Sequence, residues 1–242
     1  MAEHISRKEL KQDKIRESIE HGAEAVYSHS KAVGIAVAVV LIVAVAYAGW
    51  KFYSDRQNLK ASAAMDVAMK AFNGQIRTGN QPIDTGEPVY SSEAARAQDA
   101  SQKFLEVADK YPRTNSGKLA RYYAALCLED LERQNQALEE LKKLDAGNDK
   151  ELAAMAQYQI ANIYARTGKT DEAVKIYRAL ADANSVFVPK PMVLLELADL
   201  LRQSKPQEAA ALYEQLKKDY PNTTVAQRAE RGLNMMTPAP KS

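Results

Sequence analysis

"AMAQYQIANIYARTGKTDEAVKIYRALA", Ala154 to Ala181, reads as two helices folded back on each other. Apolar residues recur at helical spacings on both sides of Gly168, and the glycine falls where one helix must stop and the next begin. The same pattern returns on either side at a fixed interval. Ala137, Ala173 and Ala209 lie 36 residues apart, preceded by Gln136, Glu172 and Glu208. Leu141, Tyr177 and Tyr213 keep that interval, as do Leu144, Leu180 and Leu216, and Leu128, Tyr164 and Leu200. Ala125 and Ala161 continue the series, with Leu197 in the third row. Columns held in one register mark an internal repeat, and a period of about 20–50 residues is that of stacked units.

Each unit is expected to be a pair of antiparallel helices. "LARYYAALCLEDLERQ" with "NQALEELKKL" forms the first, the opening stretch the second, and "MVLLELADLLRQSKPQEAAALYEQLKKDYP" the third, with Pro206 at its turn. The alanine columns let helices approach closely, and the Tyr and Leu columns fill the space between them. "RAQDASQKFLEVADKYP" reads as the second helix of an earlier unit. Its partner is expected within Leu59–Ile76, where Ala61, Ala64, Met65, Ala68 and Phe72 follow helical spacings. Between the two, "RTGNQPIDTGEPVYSS" (Arg77–Ser92) is broken by Gly79, Pro82, Gly86 and Pro88 and reads as a loop or insertion. From Ala94 onward no strand alternation of any length is visible. "AQRAERGLNMM" would close the array, and "TPAPKS" is a frayed end.

Ahead of the repeats, Lys31 and Lys51 bracket the nineteen residues Ala32 to Trp50 without a charge between them. At about 1.5 Å per helical residue this run covers roughly 28 Å, close to the hydrocarbon thickness of a bilayer. Ala46-Tyr47-Ala48 has the small-x-small form of a signal-peptidase site. A secretory apolar region is nevertheless shorter, about 7–15 residues, and follows a short basic start rather than a 31-residue tail. Tyr47, Trp50, Phe52 and Tyr53 gather at the far end as an interfacial belt would. The segment therefore reads as a retained anchor. Lys14, Arg16 and Lys31 on one side and Lys51, Arg56, Lys60 and Lys70 on the other leave its orientation open by charge alone. The tail reads as a helix opened by a capping-box stretch, Ser6-Arg7-Lys8-Glu9. The expected organisation is a helical tail (1–31), a membrane helix (32–50), a connecting helix and loop (51–92), an all-α repeat solenoid (93–236) and a disordered end (237–242).

The 33 basic and 31 acidic residues leave +2, and the tail carries six of each sign, so the excess lies beyond it. Such a balance argues against nucleic-acid binding, which calls for a basic stripe. The single cysteine, Cys127, permits no internal disulfide and reads as a buried small side chain.

The Ala161, Tyr164, Gly168, Ala173, Tyr177 pattern resembles the tetratricopeptide repeat. "KYPRTNSGKLARYY" and "DYPNTTVAQRAERGL" are similar to joints in envelope tetratricopeptide proteins, among them the Tol-Pal coordinator and outer-membrane assembly lipoproteins. A short tail, one span, "GWKFY" and an alanine-rich helix look like the ancillary subunit of the bacterial Sec translocon. That resemblance implies a single-pass protein of the bacterial cytoplasmic membrane with its repeats in the periplasm. It also implies a non-catalytic adaptor whose partners are the translocon and periplasmic chaperones. The alternatives are a holdase for unfolded clients, or a scaffold for another envelope machine.

Residues for chemistry are scarce. His4, His21 and His29 all lie in the tail, and the HExxH, GxxxxGK, GxGxxG and GxSxG patterns are missing. The carboxylates of "LEDLERQ" and "ALEELKK" read as solvated helix faces, with Glu139 pairing Lys142 or Lys143. No enzyme, cofactor or metal is expected. A stacked array offers a concave surface for proteins or peptide segments, whose lining should include Tyr122, Tyr158, Asn162, Arg166 and Arg202. Tyr122 and Tyr158 could equally pack between helices. Some tetratricopeptide domains clamp a chaperone's terminal carboxylate, but at roughly matching positions this chain has Tyr122, Leu126, Gln159, Pro191 and Leu195. The oligomeric state is left open.

Overall fold

The computed structural model describes residues 30–77, 86–183 and 185–236. The expected tail helix and the "TPAPKS" end lie outside these. Contacts divide the chain into two units, Met1–Arg56 and Gln57–Ser242. In the first, helix α1 (Ser30–Phe72, 43 residues) begins and carries the apolar run. This helix is long and apolar enough to cross a membrane. Ile35, Leu41, Val45 and Trp50 are all exposed on it, a continuous apolar surface that water would not tolerate cheaply. Tyr47 and Trp50 lie with ring centres 6.2 Å apart, and the Arg56 guanidinium sits 4.7 Å above the Phe52 ring.

In the second unit the last turns of α1 turn one face inward. Ala61, Met65, Ala68 and Ala71 are buried against Ala100, Phe104 and Val107 of α2 (Glu93–Lys110). Phe104 stacks on Tyr123 at 5.4 Å, and Phe72 meets both rings edge-on, so these aromatics join α1 and α2 to the next unit. Then follow α3 (Asn115–Asp130), α4 (Gln134–Asp145), α5 (Lys150–Arg166), α6 (Thr170–Asp182), α7 (Lys190–Leu201), α8 (Pro206–Asp219) and α9 (Thr224–Met236). From α2 onward each helix packs on the next in sequence, and α9 also reaches α7.

The 36-residue columns are the core. Ala137, Ala173 and Ala209 expose nothing, and Tyr177, Tyr213, Leu141, Leu180 and Leu216 are among the largest fully buried side chains. Equivalent turns follow the same period. Arg133 N–H donates to Leu128 C=O at 2.8 Å, and Lys169 N–H to Tyr164 C=O at 2.9 Å. Each needs a left-handed residue one position before, Glu132 (φ 60°) and Gly168 (φ 78°). The third turn closes differently, with Lys205 N–H on Leu201 C=O at 2.7 Å.

The two Tyr-Pro joints share one geometry. Tyr111 C=O accepts the Thr114 hydroxyl at 2.9 Å, and Thr114 Oγ1 accepts Gly117 N–H at 3.0 Å, capping α3. In the second joint Tyr220 C=O accepts the Thr223 hydroxyl at 2.7 Å, and Thr223 Oγ1 accepts Ala226 N–H at 3.2 Å.

Three expectations are corrected. The helix expected through Ile76 stops at Phe72, and Gln75–Ile76 pairs in parallel with Val89–Tyr90. Two-residue pairings carry no periodicity to read. The Tyr90 hydroxyl donates to Asp99 at 2.5 Å, and burial together with that carboxylate pushes it up to about 12, so the end of the insertion is pinned to α2. Lys143 pairs with Glu140 rather than Glu139. Glu140 is not a solvated carboxylate either, because it also takes the buried Arg121, which donates in turn to Asp109 and Ala108 C=O. Arg121 thereby ties α3 to both neighbouring helices.

A methyl group at Gly117 would stand 1.9 Å from the Tyr111 carbonyl oxygen. Gly117→Ala is therefore expected to destabilise the fold by about 2 kcal/mol or more. Ala226→Gly, at the matching place in the second joint, should cost about 1 kcal/mol or less, from helix propensity alone. Urea unfolding of the two variants measures this, and an unchanged Gly117→Ala midpoint would contradict the joint geometry.

Candidate protein-binding groove

Successive first helices of the units, α3, α5 and α7, come side by side because each unit repeats the last. Between them lies a groove of about 570 Å³. Tyr158, Asn162 and Arg166, one helical turn apart on α5, all line it. Tyr122 lies beneath: its ring is buried, and its hydroxyl accepts Gln159 Nε2 at 3.2 Å. Tyr158 is half-buried and meets the Tyr177 ring edge-on at 6.2 Å. Thus Tyr122 packs between helices, while Tyr158 both packs and faces the groove.

Arg202 is not brought to this place. It falls just after α7, and its guanidinium lies 3.1 Å from the Met235 sulfur, beside a separate cleft that Met236 and Pro206 also line. The cause is local. Tyr177 donates to Asn162, fifteen residues back, but Tyr213 donates to Asp199, only fourteen back, so the third unit slips by one residue. Helix α7 also ends at Leu201, whereas α5 runs to Arg166, so the residue 36 after Arg166 falls beyond the helix end.

A relay of hydrogen bonds runs along the floor. The Tyr177 hydroxyl donates to Asn162 Oδ1 at 2.6 Å, Asn162 Nδ2 to Gln159 Oε1 at 3.0 Å, and Gln159 Nε2 to Tyr122. Burial first, then the Glu196 charge, lifts the Tyr177 phenol far above its ordinary range, so it remains a donor.

Sequence reasoning missed Glu129. It stands in "LEDLERQ", read as a solvated face, yet its side chain is 9% exposed, with Arg166 from the end of α5 reaching across to it. Its Oε2 accepts the Arg166 guanidinium. Its Oε1 is buried and meets no hydrogen-bond donor among the described residues. Burial raises this carboxyl above the usual glutamate value, Arg166 opposing and Asp130 adding to the rise. Glu196 across the groove is also raised by burial, against Arg228 at 3.6 Å. No sequence signal marks Glu129, because its contacts come from a helix one unit away.

A raised carboxyl means that the folded state holds its proton more tightly than the unfolded chain. The contribution is present at low pH and is lost as pH rises through the folded value. Relative to wild type, Glu129→Gln should therefore gain stability between about pH 4 and about pH 7. Denaturant midpoints across that range measure it, and a pH-independent difference would contradict the buried carboxylate.

Comparison with known families agrees with this architecture. The family model described as a tetratricopeptide repeat-like domain matches residues 27–185, and a tetratricopeptide repeat model matches residues 192–223. No curated protein matches the chain. Two crystal structures of nearly identical TPR-like repeats, from a kinesin light chain candidate of Podosopora anserina, share its fold. One, a point variant, is 14% identical with a TM-score of 0.54, covering 73% of this chain and 84% of that one. The other has the same identity and TM-score and covers 73% and 85%. A family model spanning well over half of the 242 residues decides the assignment: the chain belongs to the tetratricopeptide repeat-like family.

Proposed function

We propose that this protein is a non-catalytic adaptor, held at a membrane by residues 32–50, whose groove between α3, α5 and α7 receives polypeptide segments of partner proteins. The observation that carries it is the groove itself, where Tyr158, Asn162 and Arg166 converge beside a buried, incompletely bonded carboxylate. Such groups suit protein segments better than small-molecule chemistry. The resemblance of its tail, span and alanine-rich helix supports a finer reading. In it the protein sits in the bacterial cytoplasmic membrane with its repeats in the periplasm, beside the Sec translocon, and passes exported chains to periplasmic chaperones. A holdase reading is favoured by one observation. Val186 and Phe187 are exposed at a tip whose backbone N–H groups and Ser185 hydroxyl all bind Glu151.

The experiment is co-purification from crosslinked native membranes with a tag after Ser242, followed by mass spectrometry, beside proteolysis of intact spheroplasts. Translocon subunits with periplasmic chaperones, and a repeat domain open to protease, are the expected results. A protected domain with cytosolic partners alone would overturn the location, and another envelope machine would retire the translocon. For the holdase reading, Phe187→Ser should lose suppression of an unrelated client's aggregation, while the adaptor reading requires no such suppression at all.

A further inference from the structure

The charge of the groove differs from that of the chain. The whole sequence is nearly balanced at +2, but the groove is lined by three carboxylates, Glu129, Asp130 and Glu196, against one guanidinium, Arg166, with Arg228 pairing Glu196 from outside the lining at 3.6 Å. Within it, the floor amides are already engaged in the relay from Tyr177 to Tyr122, so they offer little to a ligand. Glu129 is the exception. Its side chain is more than nine-tenths buried, with Oε1 enclosed without a donor among the described residues and Oε2 held by Arg166, so the position of Arg166 is where a cation can meet it. Its present partner, Arg166, is 58% exposed and can swing into water, but the buried carboxylate it leaves must then be met by another cation, so the release is coupled to replacement. Tyr158 and Phe72 line the same groove and present apolar surface against which an aliphatic stem can lie.

Resting on the reading of the groove as a protein-binding site, we infer that its occupant is a lysine or arginine side chain on an extended segment of the partner, seated on the Glu129 carboxylate in the place Arg166 now holds. Arg166 is then an internal stand-in: it keeps Glu129 ionised and partly satisfied until a partner's cation displaces it. Asp130 and Glu196 flank the seat and steer a basic segment toward it while repelling an acidic one. The terminal-carboxylate clamp of some tetratricopeptide domains selects the opposite charge.

The test uses the full-length chain in nanodiscs of zwitterionic lipid, so that no basic peptide binds the bilayer. The probes are short fluorescein-labelled peptide pools of mixed sequence, alike except for a central Lys, Gln or Glu, with binding read by anisotropy. The Lys pool is expected to bind about tenfold tighter than the Glu pool. Glu129→Gln should remove the preference for the Lys pool, and an unchanged helical circular dichroism spectrum with a cooperative melting curve shows that the variant is folded. Arg166→Gln should strengthen Lys-pool binding by removing the competitor, and Glu139→Gln, on the exposed face of α4, should change nothing. A Lys preference that survives Glu129→Gln, or a weaker Lys pool in Arg166→Gln, overturns the inference. Equal binding of all three pools overturns it too but leaves the groove a protein-binding site. Binding of none overturns both.

Discussion

None of these helix pairs can bury its tyrosines alone, and the architecture follows from that. Tyr177 and Tyr213 are fully buried, yet each carries a hydroxyl that costs free energy unless it finds a partner. Both find one on the preceding helix, Asn162 and Asp199. Alanine at 173 and 209 lets the paired helices come close enough for that bond and for the ring to be covered. The neighbouring unit then closes the remaining face. Stability is thereby a nearest-neighbour property, in which each unit is complete only when the next is in place.

The groove is a by-product of the same stacking. When first helices repeat side by side, Arg166 at the end of α5 reaches across to Glu129 near the end of α3. Burying a carboxylate with a single exposed arginine as partner stabilises nothing by itself. It does leave an acceptor of fixed position in a surface otherwise saturated by the Tyr177–Asn162–Gln159–Tyr122 relay. The structural cost and the recognition chemistry rest on one residue. By contrast Arg121, equally buried, has three acceptors on its two neighbouring helices and is a tie within the scaffold.

The legible part of the chain was the part written with a period. Ala137, Ala173 and Ala209, with the Leu and Tyr columns beside them, announced helix pairs and their turns, because one face of every helix repeats the same burial. The apolar run of α1 was legible for a different reason, since length and the absence of charge suffice. What stayed hidden depends on contacts between units. Glu129 looks like any helix-surface acid until Arg166 reaches across to it. Arg202 leaves the groove because α7 ends at Leu201, and a turn carries no face information. The Gln75–Ile76 and Val89–Tyr90 pairing is too short to leave a pattern. Gly117 stood in plain view within "TNSGKL", but only the folded joint brings the Tyr111 carbonyl against it.

The central claim is that partner polypeptides occupy the groove rather than the outer face of the array. Site-specific photocrosslinking in native membranes tests it most directly. A benzophenone side chain is placed at Tyr158 within the groove or at Lys175 on the exposed face of α6. The account predicts discrete protein adducts from position 158 and none from position 175. Adducts confined to position 175, or the same products from both, would contradict it.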